Sequence, residues 1–239
     1  MPMGDSTPRM QREAELAEVL RAAIRKGDLL DKGRMPPERT LAERFGVSRA
    51  RLRLALDLLQ EDGTIFRRRG KGTFATPPPA TNVESLRSLA RQVTPRDVME
   101  VRLEVEPALA ALAADRAQPQ EIDLLDQLMR ATLNLTDMDD YEAADDMFHY
   151  KIAETARNPL FLTVYESIRS VRREAVWTTQ RRDSYSAHTL HLLGEQHKTL
   201  ADAISRHDSR EAAAAMEQHL LTVSNALLRD RVRKIDLEI

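Results

Sequence analysis

The fold of the N-terminal part of the chain is decided by the stretch MPPERTLAERFGVSRARLR, residues 35–53. Apolar residues recur at helical spacing over residues 38–45, and Gly46 is suited to end that short helix. Ser48 is suited to cap a second helix, predicted over residues 49–62 with one apolar face. Two helices joined by a short glycine turn predict a helix-turn-helix.

The flanking segments extend this motif to a winged helix. An amphipathic helix is predicted over residues 13–25, because its apolar residues fall on one face. Residues 65–67 and 70–74 have the pattern of two short strands joined by a turn. The sequence therefore predicts a winged helix-turn-helix domain with a small β-hairpin wing over residues 1–76.

Positive charge is concentrated where this motif would meet a ligand. Arg49, Arg51 and Arg53 lie at the start of the last predicted helix, where the helix dipole disfavours cations. DNA phosphates and the acceptor edges of guanine would compensate them. Lys71 and the arginines at 67–69 add a second basic cluster at the wing. A solvated basic face is the alternative explanation, but the pattern favours double-stranded DNA as the partner.

Composition excludes several classes of protein. The 239 residues carry a net charge of −2 and include no cysteine, which excludes disulfides, thiolate metal sites and cysteine nucleophiles. No run approaches about 20 apolar residues, and the N-terminus lacks the apolar core of a secretion signal. We therefore expect a cytoplasmic protein with no membrane partner. The run Pro77-Pro78-Pro79 predicts a stiff linker over residues 77–82.

The remaining residues, 83–239, have helical periodicity almost throughout. Helices are predicted over residues 96–115, 121–135, 140–157, 160–177, 187–206 and 210–234. Pro107 predicts a kink or break near Glu104. The mainly α pattern, without a convincing strand, predicts an all-α antiparallel helical bundle.

Three predicted helices each turn a histidine toward the core. Asp145 and His149 are four residues apart and share a helix face, and His197 and His219 lie in apolar stripes of two later helices. A hydrogen-bonded core histidine is the usual explanation for one such residue. A divalent metal ion would satisfy three imidazoles and the carboxylate together, and this ligand set suits zinc or nickel.

The N-terminal motif resembles the DNA-binding domain of GntR-family transcription regulators over about residues 14–76. The resemblance rests on residues 35–49, on the arginines continuing to residue 53, and on Gly70-Lys71-Gly72-Thr73-Phe74. It implies that operator contacts are made by Arg39, Ser48, Arg49, Arg51, Arg53 and the wing tip of Gly70, Lys71 and Gly72. Two positions depart from the family pattern: Leu54 replaces a glutamate, and Pro37 replaces a serine or threonine and removes a helix cap.

The second part resembles the FCD ligand-binding domain of the FadR-type subgroup. The resemblance rests on residues 145–149, Asn158-Pro159, residues 195–197 and His219. It implies that an acid and three histidines, here Asp145, His149, His197 and His219, bind the metal. Arg102 resembles the arginine that faces the effector in this family, which implies a small organic acid as effector. An internal ion pair of Arg102 with Glu106 is the alternative.

The expected function is that of a homodimeric transcription regulator, since one helix-turn-helix reads few base pairs and two copies would read a pseudo-palindromic operator. By analogy with the family we expect a repressor that a small organic acid controls. One alternative is a helical metal-dependent hydrolase or lyase using the Asp/His site, and another is a dimeric DNA-binding protein without an effector. No further acid or base is readable beside the metal ligands, so we expect no enzyme activity.

Overall fold

The computed structural model describes residues 8–31, 33–68, 72–77, 83–133, 135, 137–174 and 184–235. The chain divides into two compact units, Met1–Pro78 and Pro79–Ile239. The predicted domain bounds at residues 76 and 83 stay predictions, because residues 78–82 of the linker lie outside the described residues.

The first unit is a winged helix-turn-helix. Its helices are α1 (Pro8–Arg25), α2 (Glu38–Phe45) and α3 (Arg49–Glu61), and its strands are β1 (Phe66–Arg68) and β2 (Gly72–Phe74). The two strands pair antiparallel. Gly46 has φ 63° and ends α2 in the left-handed region, and the Ser48 hydroxyl accepts a hydrogen bond from the Arg51 backbone N–H at 3.2 Å. The predicted turn and cap are thus confirmed.

One apolar core holds the three helices of this unit together. Its fully buried members include Leu20, Leu41, Leu52, Leu56 and Leu59. The apolar residues predicted to face the core from α1 included Val19. That prediction was wrong, because Val19 is 53% exposed. Helix α2 begins at Glu38, and its N-cap residue, Pro37, makes no side-chain hydrogen bond, as expected for a residue that replaces a capping serine or threonine.

The second unit is helical, and its described residues contain no strand. Its helices are α4 (Val83–Ala90), α5 (Pro95–Arg116), α6 (Pro119–Ala131), α7 (Met138–Thr155), α8 (Pro159–Arg172), α9 (Ala187–Ser205) and α10 (Ser209–Ile235). Helix α4 was not predicted, and α8 ends before the predicted residue 177, which lies outside the described residues. In the parts of the chain that are described, no helix is long and apolar enough to cross a membrane.

Helix α5 is the centre of this unit and contacts α7, α8, α9 and α10. It continues across Pro107, so the break predicted near Glu104 was wrong, whereas a kink there stays a prediction. Buried alanines at 110, 113 and 114 line its core side together with Leu109. This packing holds the helix together where the proline lacks an N–H, and the small side chains allow neighbouring helices to approach α5 closely.

Candidate nucleic-acid interface and metal centre

The three arginines at the start of α3 occupy different environments. Arg49 is exposed and makes no hydrogen bond or ion pair with any described residue. Arg53 is also exposed, and its Nε donates to Glu38 Oε2 at 2.7 Å. Arg51 is half-buried and donates from Nη2 to the Arg12 carbonyl oxygen at 2.9 Å. Arg49 is therefore free to meet a ligand, whereas Arg51 also ties α3 to α1.

Glu38 links helix α3 to strand β1 of the wing. One carboxylate oxygen accepts from Arg53, and the other accepts from Arg67 Nη2 at 2.9 Å. Arg67 also pairs with Asp57. The hydrogen bond from Arg53 lowers the pKa of Glu38, although burial acts in the opposite direction. One ionised carboxylate thus holds two arginines of the basic face in place.

The other predicted DNA contacts are only partly described. Arg39 is exposed and pairs with Glu43 at 3.1 Å, while Ser48 caps α3. Gly72 has φ 113°, and an added Cβ would lie 2.9 Å from Arg34 Nε, so a larger residue would be strained there. Gly70 and Lys71 of the predicted wing tip lie outside the described residues. The assignment of all these residues to operator contacts stays a prediction.

The four predicted metal ligands come together in the second unit. Asp145 and His149 lie on α7, His197 on α9 and His219 on α10, and all four are buried. One potential ligand atom from each lies within 4.8 Å of the others. The core-facing sides of three separate helices thus bring these four side chains together in one cluster.

For two of these histidines, the hydrogen-bond partner outside the cluster shows which ring nitrogen carries the proton. His149 Nδ1 lies 2.9 Å from Glu106 Oε2, and a carboxylate can only accept, so Nδ1 carries the proton. His197 Nδ1 lies 3.0 Å from the Thr132 hydroxyl, which itself donates to the Met129 carbonyl oxygen, so this Nδ1 also donates. In the neutral imidazoles both Nε2 atoms hold lone pairs, yet they are 3.2 Å apart. A metal ion bound by both nitrogens, or a proton on one of them, would relieve this contact.

His219 completes a donor set that fits a divalent metal. Among the described residues, neither of its ring nitrogens has a hydrogen-bond partner, although the side chain is fully buried. Burial lowers the pKa of both His219 and His197, which keeps these imidazoles neutral and able to coordinate. Burial alone would raise the pKa of Asp145, but nearby positive charge, including that of Arg172, holds it well below its usual range. Neutral nitrogens and one carboxylate suit zinc or nickel.

A cavity of about 230 Å³ adjoins the cluster. Asp145 and His219 form part of its wall, and Arg102 and Arg172 bring positive charge to it. Tyr141 also lines the cavity, and its buried hydroxyl makes no hydrogen bond within the described part of the chain. The cavity can therefore offer metal coordination, guanidinium groups and a phenol donor to one small ligand.

Arg102 lies in the cavity wall and also makes the ion pair that the sequence offered as the alternative, and its contact with an effector stays a prediction. It lines the cavity, and its Nε also donates to Glu106 Oε1 at 2.6 Å. Sequence reasoning missed that Glu106 also binds His149, and it missed Thr132 behind His197. No local sequence pattern marks either contact, because the partners are 43 and 65 positions apart.

Comparisons with known proteins agree with this organisation. The chain matches the family described as bacterial regulatory proteins, gntR family, over residues 12–75, and the FCD domain over residues 97–222. It is 33% identical over 222 residues to the putative L-lactate dehydrogenase operon regulatory protein of Escherichia coli K12, covering 90% of this chain and 86% of the relative. It is 29% identical over 220 residues to the Escherichia coli repressor NanR, covering 87% and 81%.

Among solved structures, Escherichia coli McbR/YncC is similar in fold. The TM-score is 0.52 at 19% identity, and the match covers 92% of this chain and 98% of the other.

Proposed function

Because the chain belongs to the GntR family of bacterial regulatory proteins and carries an FCD domain, it is a DNA-binding transcription regulator, and we propose that it is a homodimeric repressor controlled by a small organic acid bound beside a divalent metal. The matched domains and relatives are transcription regulators and not enzymes. The hydrolase or lyase alternative is therefore excluded.

The proposed operator contact centres on the exposed arginines of α3. Arg49 has no partner among the described residues, and it lies in the first turn of a helix whose dipole disfavours a cation. Insertion of α3 in the major groove would place this guanidinium against guanine acceptors or phosphates. Two copies of the chain would read the two halves of a pseudo-palindromic operator.

The proposed metal is held by Asp145, His149, His197 and His219. The observation that carries this assignment is the 3.2 Å separation between the Nε2 atoms of His149 and His197, both of which hold lone pairs. When bound, the ion would supply Lewis-acid coordination for oxygen donors of a ligand. Glu106 and Thr132 orient the two imidazoles from behind.

The proposed effector is a small organic acid in the adjoining cavity. Support comes from Arg102 and Arg172 in its wall, since guanidinium groups bind carboxylates with paired hydrogen bonds. The volume of about 230 Å³ is below that of pockets for drug-sized ligands, which favours an acid of few carbon atoms. The name of the Escherichia coli L-lactate dehydrogenase operon regulatory protein also refers to an organic acid.

An operator-binding assay tests this function. A binding site is first selected from random double-stranded DNA, and its affinity for zinc-loaded protein is then measured by fluorescence anisotropy. A panel of mono-, hydroxy- and dicarboxylic acids is added, with an amine of equal size as the control. We expect at least one acid to weaken binding by about 5–150-fold. If none changes the affinity, the chain is a DNA-binding protein without an acid effector.

A further inference from the structure

Glu106 is a buried carboxylate shared by two functional side chains. Its Oε1 accepts from Arg102 Nε at 2.6 Å, and its Oε2 lies 2.9 Å from His149 Nδ1. The exposed fraction of its side chain is 1%, and that of Arg102 is 2%. Glu106 does not itself line the cavity, so it contacts Arg102 and His149 from behind.

Each contact fixes the orientation of a neighbour. The bond to Arg102 occupies the Nε side of the guanidinium, with a longer contact of 3.4 Å from Nη2 to Oε2. The Nη1 group meets the Met99 sulfur at 3.7 Å, which is a weak acceptor. A carboxylate ligand could therefore displace these weaker contacts while Nε stays held. The bond to His149 fixes the proton on Nδ1 and turns Nε2 toward the cluster.

We propose that Glu106 is a positioning residue that couples acid binding at Arg102 to metal binding at His149. This inference rests on the proposed function, since it presumes that the metal and the acid bind where we place them. An acid that binds the Nη groups of Arg102 removes the longer contact from Nη2 to Glu106 Oε2, while the bond from Nε stays. The carboxylate then bonds more strongly to His149 Nδ1–H, which makes Nε2 a better donor to the metal. Metal and acid thus strengthen each other's binding, as linkage requires.

The chemistry at this position requires a carboxylate. Both neighbours of Glu106 donate, and a carboxylate accepts from both. A glutamine offers one acceptor and one donor at the same place. If its oxygen faces Arg102, its amide donates to His149 Nδ1 and moves the imidazole proton to the nitrogen needed by the metal. If the amide is reversed, its NH2 group faces the Nε–H of Arg102, and two donors then meet. Glu106→Gln therefore cannot preserve both contacts.

Zinc affinity, measured by competition with a chromophoric chelator, tests the proposal without DNA or an identified effector. Glu106→Gln is expected to weaken zinc binding by about 10–100-fold. Thr132→Val is the matched comparison, because Thr132 supports His197 from behind and makes no hydrogen bond with Arg102. It is expected to weaken zinc binding similarly.

Arg102→Met separates coupling from simple support. In the native background it should tighten zinc binding, since Glu106 is left with His149 as its partner. In the Glu106→Gln background the same substitution should change the affinity by less than about 2-fold, whereas in the Thr132→Val background the tightening should persist. An equal tightening in all three backgrounds would show charge repulsion through space and would overturn the proposal.

The remaining outcomes are distinguishable. If the unaltered protein binds no zinc, the proposed metal site fails before the coupling is tested. If it binds zinc and Glu106→Gln binds equally well, Glu106 is not a positioning residue. Circular dichroism checks the fold of each variant. Should Glu106→Gln not fold, unchanged zinc affinity in Arg102→Met still overturns the coupling. Glu106→Asp then serves as the background, because it keeps the charge but shortens the side chain away from Arg102 and His149. Loss of the tightening by Arg102→Met there supports the coupling, and an equal tightening overturns it.

Discussion

Substitution of His219 by leucine is expected to change stability in opposite directions without and with metal. Both ring nitrogens of His219 are buried and lack a hydrogen bond among the described residues. An orphaned buried polar group costs about 1–3 kcal/mol, and a leucine that fits imperfectly costs up to about 1.5 kcal/mol. In chelator the variant should therefore be more stable by roughly 1 kcal/mol, which raises Tm by about 2–4 °C.

Bound metal should reverse this order and make the unaltered protein the more stable of the two. Zinc at 1,000 times its Kd should stabilise the unaltered protein by about 4 kcal/mol, or roughly 8–16 °C in Tm, while the variant lacks one ligand and gains far less. Thermal denaturation followed by circular dichroism, in chelator and in excess zinc, measures both effects. His191→Leu is the control, because His191 is exposed on the same helix as His197. Lower stability of His219→Leu in chelator, or a full zinc shift in that variant, would refute the reasoning.

Three further predictions concern the two units separately. Arg49→Ala should weaken operator binding by about 1–3 kcal/mol in anisotropy titrations if the arginine contacts a base; unchanged affinity in a folded variant would contradict this. Glu38→Gln should lower the free energy of unfolding at neutral pH. Arg53 lowers the folded-state pKa of Glu38. Denaturant titrations across pH should therefore show the full difference in unfolding free energy between the variant and the unaltered protein above the unfolded-state pKa of Glu38. That difference should vanish as pH falls through the folded-state pKa. A constant difference would argue against the ion pairs. Arg102→Ala should abolish the response of operator binding to organic acids while stoichiometric metal remains by elemental analysis; a retained response would remove Arg102 from the effector site.

The features that the sequence predicted correctly are those that local patterns determine. Gly46 and Ser48 specify the turn and the cap of the helix-turn-helix within three residues of each other, and the structure has both. The convergence of His149, His197 and His219 followed from helical phase, since each lies in an apolar stripe and the stripes share one core. Periodicity therefore located the cluster without any knowledge of tertiary contacts.

The features that were missed depend on contacts between distant parts of the chain. Glu106 meets His149 across 43 positions, and Thr132 meets His197 across 65. Neither pair leaves a spacing pattern in the sequence. Pro107 was expected to kink or break α5, but the helix is unbroken, because the buried packing on its core side overrides the local preference. Arg51 was predicted to contact DNA from its charge, its place at the start of α3 and the family resemblance, none of which reveals the carbonyl oxygen of Arg12 beside it.

Everything proposed for the FCD domain depends on a divalent cation held by Asp145, His149, His197 and His219. Anomalous diffraction from crystals of zinc-loaded protein, recorded on both sides of the zinc absorption edge, measures this directly. We predict one strong peak at about 2.0–2.2 Å from a ring nitrogen of each histidine and from a carboxylate oxygen of Asp145. Zinc found only on exposed histidines such as His191, with no peak among these four side chains, would contradict it.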